Sequence, residues 1–286
     1  MKDHFKLILA LIKYRVSLAV SFTTVTGYMV FTGQFDIQIV YLIISIFLLA
    51  GGSSAMNECQ ESKYDALMAR TKNRPIPSGK ISLLNAWIIS IAFTLVGLLM
   101  LYFIFDATTA LLGLINLVWY NIIYTNLKRI SSFAVVPGSM VGAIPALMGW
   151  TAAGGYVFDS TIIFIAFFLF IWQIPHFWLL MLKYGKEYEE AGFKTINQAV
   201  NAPNLKLIIF AWVLATSFSS IIVPLFLVNI SLTFFMIIFA LNLIFIGVFT
   251  KLSFGNVTEL NFRKSFISIN VYMMIFMLLL IVFHLF

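Results

Sequence analysis

Nine apolar runs, each long enough to cross a bilayer as a helix, follow one another with only short polar interruptions, and this recurrence constrains the fold more than any single residue does. The hydrocarbon core of a membrane is about 30 Å thick, so a spanning helix needs about 20 mostly apolar residues. The runs lie near 14–32, 37–57, 83–104, 107–125, 133–153, 160–182, 205–227, 230–250 and 265–285. With 62% hydrophobic and 10% charged residues and a mean hydropathy of +1.00, soluble folds are excluded. The expected fold is all-α: a polytopic membrane protein in which one domain, 1–286, forms a bundle of nine transmembrane helices around an apolar cavity. Lys13 and Arg15 interrupt the first apolar stretch and no small-residue cleavage site follows, so residues 1–12 are expected as an interfacial segment, not a cleaved leader.

Basic loops stay on the cytoplasmic side of a membrane. With nine spans, all 18 Lys and Arg fall on one face: the N-terminus and the even-numbered loops. The first, third and fifth loops hold only Asp36, Asp106 and Asp159. A wrong span count would scatter these charges onto both faces. The expected arrangement in the cell (inner or plasma) membrane is N-terminus cytoplasmic and C-terminus external. The net charge of +7 follows from the same rule and points to anionic lipid, not to nucleic acid. Cys59, the only cysteine, can form neither an internal disulfide nor a multi-cysteine metal site.

Polar chemistry concentrates after the second and sixth runs. If the second span continues as a helix, Asn57, Glu61 and Asp65 are spaced i, i+4, i+8 and share one face at intervals of about 6 Å. Such a row of oxygens suits a hard cation such as Mg²⁺, which binds through a few carboxylates and completes its shell with water and phosphate. Arg70, Lys72 and Arg74 follow, and arginine grips phosphate oxygens through two hydrogen bonds at once. Pro75, Pro77 and Gly79 then shape the loop. An ordinary solvated loop is the competing reading, but acids followed by guanidinium groups at a membrane surface favour a diphosphate site.

This motif resembles the Asn-x-x-x-Asp-x-x-x-Asp signature of the UbiA-type intramembrane prenyltransferases. The stretch Asp65-Ala66-Leu67-Met68-Ala69-Arg70-Thr71-Lys72-Asn73-Arg74-Pro75 is similar to the haem O synthase branch of that family. Two departures stand out: Glu61 where the signature has Asp, and Lys63 where the branch commonly carries another acid. Both bear on metal affinity more than on the type of reaction.

A second stretch runs from Tyr124-Thr125-Asn126-Leu127-Lys128-Arg129 through Pro137-Gly138 to Gly142-Ala143-Ile144-Pro145-Ala146-Leu147-Met148-Gly149-Trp150. Read alone it is a positive-inside marker followed by small packing residues. The resemblance places Lys128 and Arg129 beside the diphosphate.

A third stretch, Trp172-Gln173-Ile174-Pro175-His176-Phe177-Trp178, leads to Lys183-Tyr184-Gly185-Lys186-Glu187-Tyr188-Glu189-Glu190. His176 lies about 10 Å inside the end of its span. An ionisable residue at that depth normally faces the bundle interior and has a function. The alternative is a structural histidine bonded to a carbonyl freed by Pro175. The resemblance implies a role for His176 near haem or in proton handling. Lys183 and Lys186 precede Glu187 and Glu190 by four residues, a spacing that also fits surface ion pairs worth about 0.2–0.5 kcal/mol each. The favoured reading makes Lys183 and Glu187 part of a second diphosphate and metal locus facing the first.

The resemblance thus implies that farnesyl diphosphate, held through Mg²⁺ and basic residues, alkylates a vinyl group of haem b. Water capture then leaves a hydroxyethylfarnesyl substituent. It also implies a haem A synthase as partner. Tyr120, Tyr124, Trp150, Trp172 and Trp178 are candidates, by position, to shield an allylic cation. Two rivals are a prenyltransferase acting on a quinone precursor or chlorin, and a transporter. The first would show a fuller Asp-rich second motif, and the second would place charge near the midplane.

Overall fold

An apolar run in lipid can satisfy its backbone hydrogen bonds within itself only as a helix, and among the described residues the runs are helical. The computed structural model describes residues 2–227, 231–254 and 259–285, and among these no strand occurs. The helices are α1 (Lys2–Leu11), α2 (Tyr14–Thr32), α3 (Ile37–Asp65), α4 (Leu83–Phe105), α5 (Ala107–Ile130), α6 (Val135–Ala152), α7 (Ser160–Glu190), α8 (Ala202–Phe226), α9 (Leu232–Ser253) and α10 (Glu259–Leu285). Among the described residues eight of them are long and apolar enough to cross a membrane, and α2 makes nine when joined to α1.

The expected boundaries differ in three informative places. Helices α3 and α7 run well past the ends of their apolar stretches, to Asp65 and Glu190, so the polar residues that follow both spans are themselves helical. The interfacial segment is a helix, α1, set at 55° to α2 across Lys13, whose φ of 48° is left-handed. The eighth span was expected to begin at residue 230, which lies outside the described residues. Helices α4 and α5 each end in or contain a π-helical turn, Leu101–Phe105 and Trp119–Tyr124.

The three aspartates of the odd-numbered loops have a local cause. Asp36, Asp106 and Asp159 each accept backbone N–H bonds at the start of α3, α5 and α7. A carboxylate there satisfies orphan donors and opposes the positive end of the helix dipole.

Helix α7 is the central post of the bundle, packed on α6, α8 and α10, and it is much more buried than the lipid-facing α5. Pro175 sits inside it, and Trp172 Nε1 donates to Ile269 O of α10 at 2.8 Å, fixing the turn before the proline. Helices α2 and α6 approach closely because each offers glycine to the other. A Cβ on Gly27 would lie 2.1 Å from Ala146 O, and one on Gly149 would lie 1.7 Å from Thr24 O. Small residues at such crossings are how helices associate where lipid supplies no hydrophobic drive. In the distal part of the bundle, Tyr272 Oη lies within hydrogen-bond distance of Ser220 Oγ, at 2.7 Å, and of Asn242 Oδ1, at 2.8 Å, so α8, α9 and α10 share a buried polar tie. The expectation that these three helices complete the wall of the bundle fits that tie.

Candidate active site

The i, i+4, i+8 spacing does what helical geometry requires. Asn57, Glu61 and Asp65 all lie on α3, all are buried, and all line one cavity of about 670 Å³. That volume falls within the range of about 300–1,000 Å³ typical of ligand sites. Buried carboxylates must be paired, and the partners come from distant parts of the chain. Lys128 Nζ, at the end of α5, is 2.6 Å from Glu61 Oε1. Arg74 Nη1, from the loop after α3, is 2.6 Å from Asp65 Oδ2. Asn57 Nδ2 donates to Thr125 Oγ1 at 3.1 Å, tying the first member of the row to α5.

The loop between α3 and α4 folds back over the row. Thr71 Oγ1 donates to Asp65 O at 2.8 Å, and Ile76 N donates to the fully buried Glu58 at 3.4 Å. Left-handed Gly79, at φ 73°, turns the chain toward α4. Arg70 lines the cavity from this loop and donates to Tyr188 Oη, while its own backbone N–H donates to Glu187 Oε2 at 3.3 Å. The end of α7 therefore faces the loop after α3.

Not every expected residue reaches the cavity. Lys72 is exposed and is not among its lining residues. Arg129 packs over the Tyr64 ring, 4.9 Å from its centroid, and donates to Gln60 O at 3.2 Å, bracing α3 against α5 from behind the row. Lys183 is exposed over the rings of Tyr184 and Phe262, and Glu187 acts on Arg70 from outside the cavity. Lys63 is exposed and lies off the lining face, so it adds no cation among the lining residues. Of the aromatic candidates, Tyr120, Tyr124, Trp172 and Trp178 line the cavity. Trp150 does not: its Nε1 donates to Tyr156 O at 3.1 Å and its ring packs edge-on against Phe31. It anchors the loop after α6.

Sequence reasoning missed Lys13. It reads as a positive-inside residue, yet its Nζ donates to Asn57 Oδ1 at 3.2 Å and it lines the cavity. The bend between α1 and α2 is what delivers it. Lys194, whose backbone N–H donates to Lys128 O at 3.1 Å, also lines this end.

An aromatic cluster also lines the cavity. His176 lines it between Trp172 and Phe266, with ring centroids 5.0 and 4.9 Å away. Its Nδ1 is buried without a hydrogen-bond partner, so the bond to a carbonyl freed by Pro175, the structural alternative, is not made through that nitrogen.

The donor set fits Mg²⁺. Among the described residues no three His, Cys, Asp or Glu side chains form a metal site on their own. Two carboxylates and an amide oxygen are what a cation needs when phosphate and water supply the rest of its shell. The cations around them, Lys13, Arg74 and Lys128, leave that row close to balanced charge and ready for a polyanion.

The chain matches the model of the UbiA prenyltransferase family over residues 19–283. It is 40% identical over 184 residues to a protein of Christiangramia forsetii named protoheme IX farnesyltransferase, covering 63% of this chain and 60% of that one. Two solved structures share its fold at 17% identity. A structure of digeranylgeranylglyceryl phosphate synthase superposes with a TM-score of 0.78 over 99% of both chains. An Archaeoglobus fulgidus UbiA homologue bound to GPP and Mg²⁺ does so with 0.69, over 96% of this chain and 99% of that one. With a continuous family match from α2 to the end of α10, and the polar row and basic residues gathered at one cavity, this chain belongs to the UbiA prenyltransferase family.

Proposed function

We propose that this protein transfers the farnesyl group of farnesyl diphosphate to a vinyl group of haem b, giving haem O and diphosphate, in a Mg²⁺-dependent reaction. The observation that carries the reading is that one cavity is lined by two clusters. One joins Asn57, Glu61 and Asp65 to Lys13, Arg74 and Lys128, and the other is formed by Trp172, His176 and Phe266. A prenyl diphosphate has two matching parts: a polyanionic head and an apolar chain. The name of the Christiangramia relative supports the choice of acceptor.

In this reading Asn57, Glu61 and Asp65 would hold the metal, which would supply positive charge to neutralise the diphosphate. Arg70, Arg74, Lys128 and Lys13 grip the diphosphate oxygens, and Arg129 and Glu187 fix the elements that carry them. Lys72 and Lys183, at the exposed rim, attract the anion. Tyr120 and Tyr124, rings 6.1 Å apart and stacked, stand where the reacting carbon leaves the head and exclude water from it. His176 faces the haem. The basic end of the bundle is cytoplasmic, in the inner or plasma membrane, and the haem O formed passes to a haem A synthase.

The test is product analysis by mass. Purified protein in detergent with haem b, farnesyl diphosphate and Mg²⁺ is expected to yield a farnesylated haem. Transfer to an aromatic acid, with haem b untouched, would move the assignment to a quinone-type prenyltransferase.

A further inference from the structure

The cavity is also lined by side chains with unpaired polar atoms. Gln173 Oε1 and His176 Nδ1 have no hydrogen-bond partner among the described residues, and both side chains line the cavity. Gln173 Oε1 and His176 Nδ1 are sealed from solvent, which leaves the amide nitrogen and Nε2 as the atoms each presents to the open space. The two residues are three apart on α7, so they share one face. Buried polar groups left unpaired in a native fold mark a place for an ordered water or a ligand atom.

Both side chains are held in place. The His176 ring sits between Trp172 and Phe266. Gln173 occupies space that exists because residue 142 is glycine, where a Cβ would lie 2.0 Å from Gln173 Oε1. The ion pairs and side-chain hydrogen bonds of the carboxylate row go to Lys13, Arg74, Thr125 and Lys128, so binding the diphosphate leaves Gln173 and His176 unused.

Alkylating a vinyl group gives them a task. The alkene's π pair forms the new carbon–carbon bond, and the pair of the broken carbon–oxygen bond leaves with diphosphate. The other vinyl carbon is then a cation, which ends either by losing a proton or by taking a water. Resting on the function proposed above, we infer that Gln173 and His176 hold the water that takes this cation. The Gln173 amide donates to the water oxygen and the neutral imidazole accepts one of its hydrogens, which turns a lone pair toward the cationic carbon. That lone pair forms the carbon–oxygen bond, the displaced proton passes to His176 and then to solvent, and the imidazole returns to its neutral form.

The experiment reads the product, because water adds only after the prenyl group is joined. Gln173→Leu, assayed with haem b, farnesyl diphosphate and Mg²⁺, is expected to release diphosphate while forming a product lighter by one water, and His176→Phe, which also loses the ring facing the haem, is read only by the ratio within the product it forms. The ratio of hydrated to dehydrated product should fall about tenfold, the effect of losing one hydrogen bond to a reacting water. Gly142→Ala displaces the Gln173 amide without touching its chemistry, so it should shift the ratio the same way, and it stands in should Gln173→Leu not fold. Oxygen-labelled water should mark the hydrated product of the unsubstituted protein. A wild-type product ratio in folded Gly142→Ala and His176→Phe would overturn the inference while leaving the proposed function intact. Absence of any farnesylated haem from the unsubstituted protein would instead remove the proposed function, and the inference with it.

Discussion

Lys128 Nζ stands 2.6 Å from Glu61 Oε1, which joins the end of α5 to the middle of the acid row on α3. Removing one partner of a buried ion pair leaves an uncompensated charge. Lys128→Met is therefore expected to lose stability as well as affinity for farnesyl diphosphate. Adding Glu61→Gln to it should recover stability but not affinity. Thermal unfolding in detergent and diphosphate titration separate the two effects, and recovery of affinity in the double variant would contradict the role given to Lys128.

Lys13 separates stability from binding in the opposite direction. A non-glycine residue in the left-handed region costs about 1–2 kcal/mol, and φ is 48° here. Lys13→Gly should relieve that strain and raise the unfolding temperature. It should also weaken farnesyl diphosphate by roughly ten- to a hundredfold, the effect of losing a charge-assisted hydrogen bond. Lys13→Arg should retain most of the affinity. Undiminished affinity in Lys13→Gly would remove Lys13 from the site.

The α2–α6 crossing depends on two glycines. A Cβ on Gly149 would lie 1.7 Å from Thr24 O, a backbone atom that cannot swing aside. Gly149→Ala is expected to destabilise by about 1–3 kcal/mol, as overpacking does. Gly154→Ala, where no atom lies within 4 Å, should show only the penalty of its positive φ. Equal unfolding temperatures for Gly149→Ala and the unsubstituted protein would contradict the close approach.

The orientation can be read by labelling. Asn73 and Ser160 are exposed, and the segregation of Lys and Arg puts them on opposite faces. Asn73→Cys and Ser160→Cys, each in a Cys59→Ser background, should react with an impermeant thiol reagent from opposite sides of sealed vesicles. Reaction of both from one side would refute nine crossings.

Much of the fold and part of the site could be read from the sequence, and the division has a physical cause. Span number and the row of Asn57, Glu61 and Asp65 follow from helix period and bilayer thickness, both properties of consecutive residues. Which cation meets which acid does not. Lys128 and Arg74 look alike in sequence to Lys72 and Arg129, and only the packing of α5 and the fold of the loop after α3 sends the first two inward. Lys13 was hidden because a lysine before a span already has an explanation in topology. Trp150 was drawn in because position along a helix does not give the rotation of that helix, and its indole turns to the loop at Tyr156. Gln173 stood in a distinctive string, but its use depends on Gly142 across the cavity, a relation between two helices.

The metal assignment makes the sharpest claim, that Glu61 and Asp65 act through charge and geometry and not through packing. Asp65→Asn keeps nearly the same volume at a fully buried position and can still accept from Arg74, so the protein should stay folded in detergent. Turnover should nevertheless be lost, because an amide does not neutralise a divalent cation as a carboxylate does. Glu61→Asp shortens the ligand by one methylene and should retain substantial activity, whereas Glu61→Gln should not. If weakened metal binding is the cause, raising Mg²⁺ should partly rescue Glu61→Gln and leave its affinity for haem unchanged. Among the described residues Glu61 and Asp65 are the acids that line the cavity, so a diphosphate held elsewhere would need another anchor. Normal turnover in both Asp65→Asn and Glu61→Gln would sink the site, since the row on α3 would then be a structural tie to Lys128 and Arg74 and nothing more.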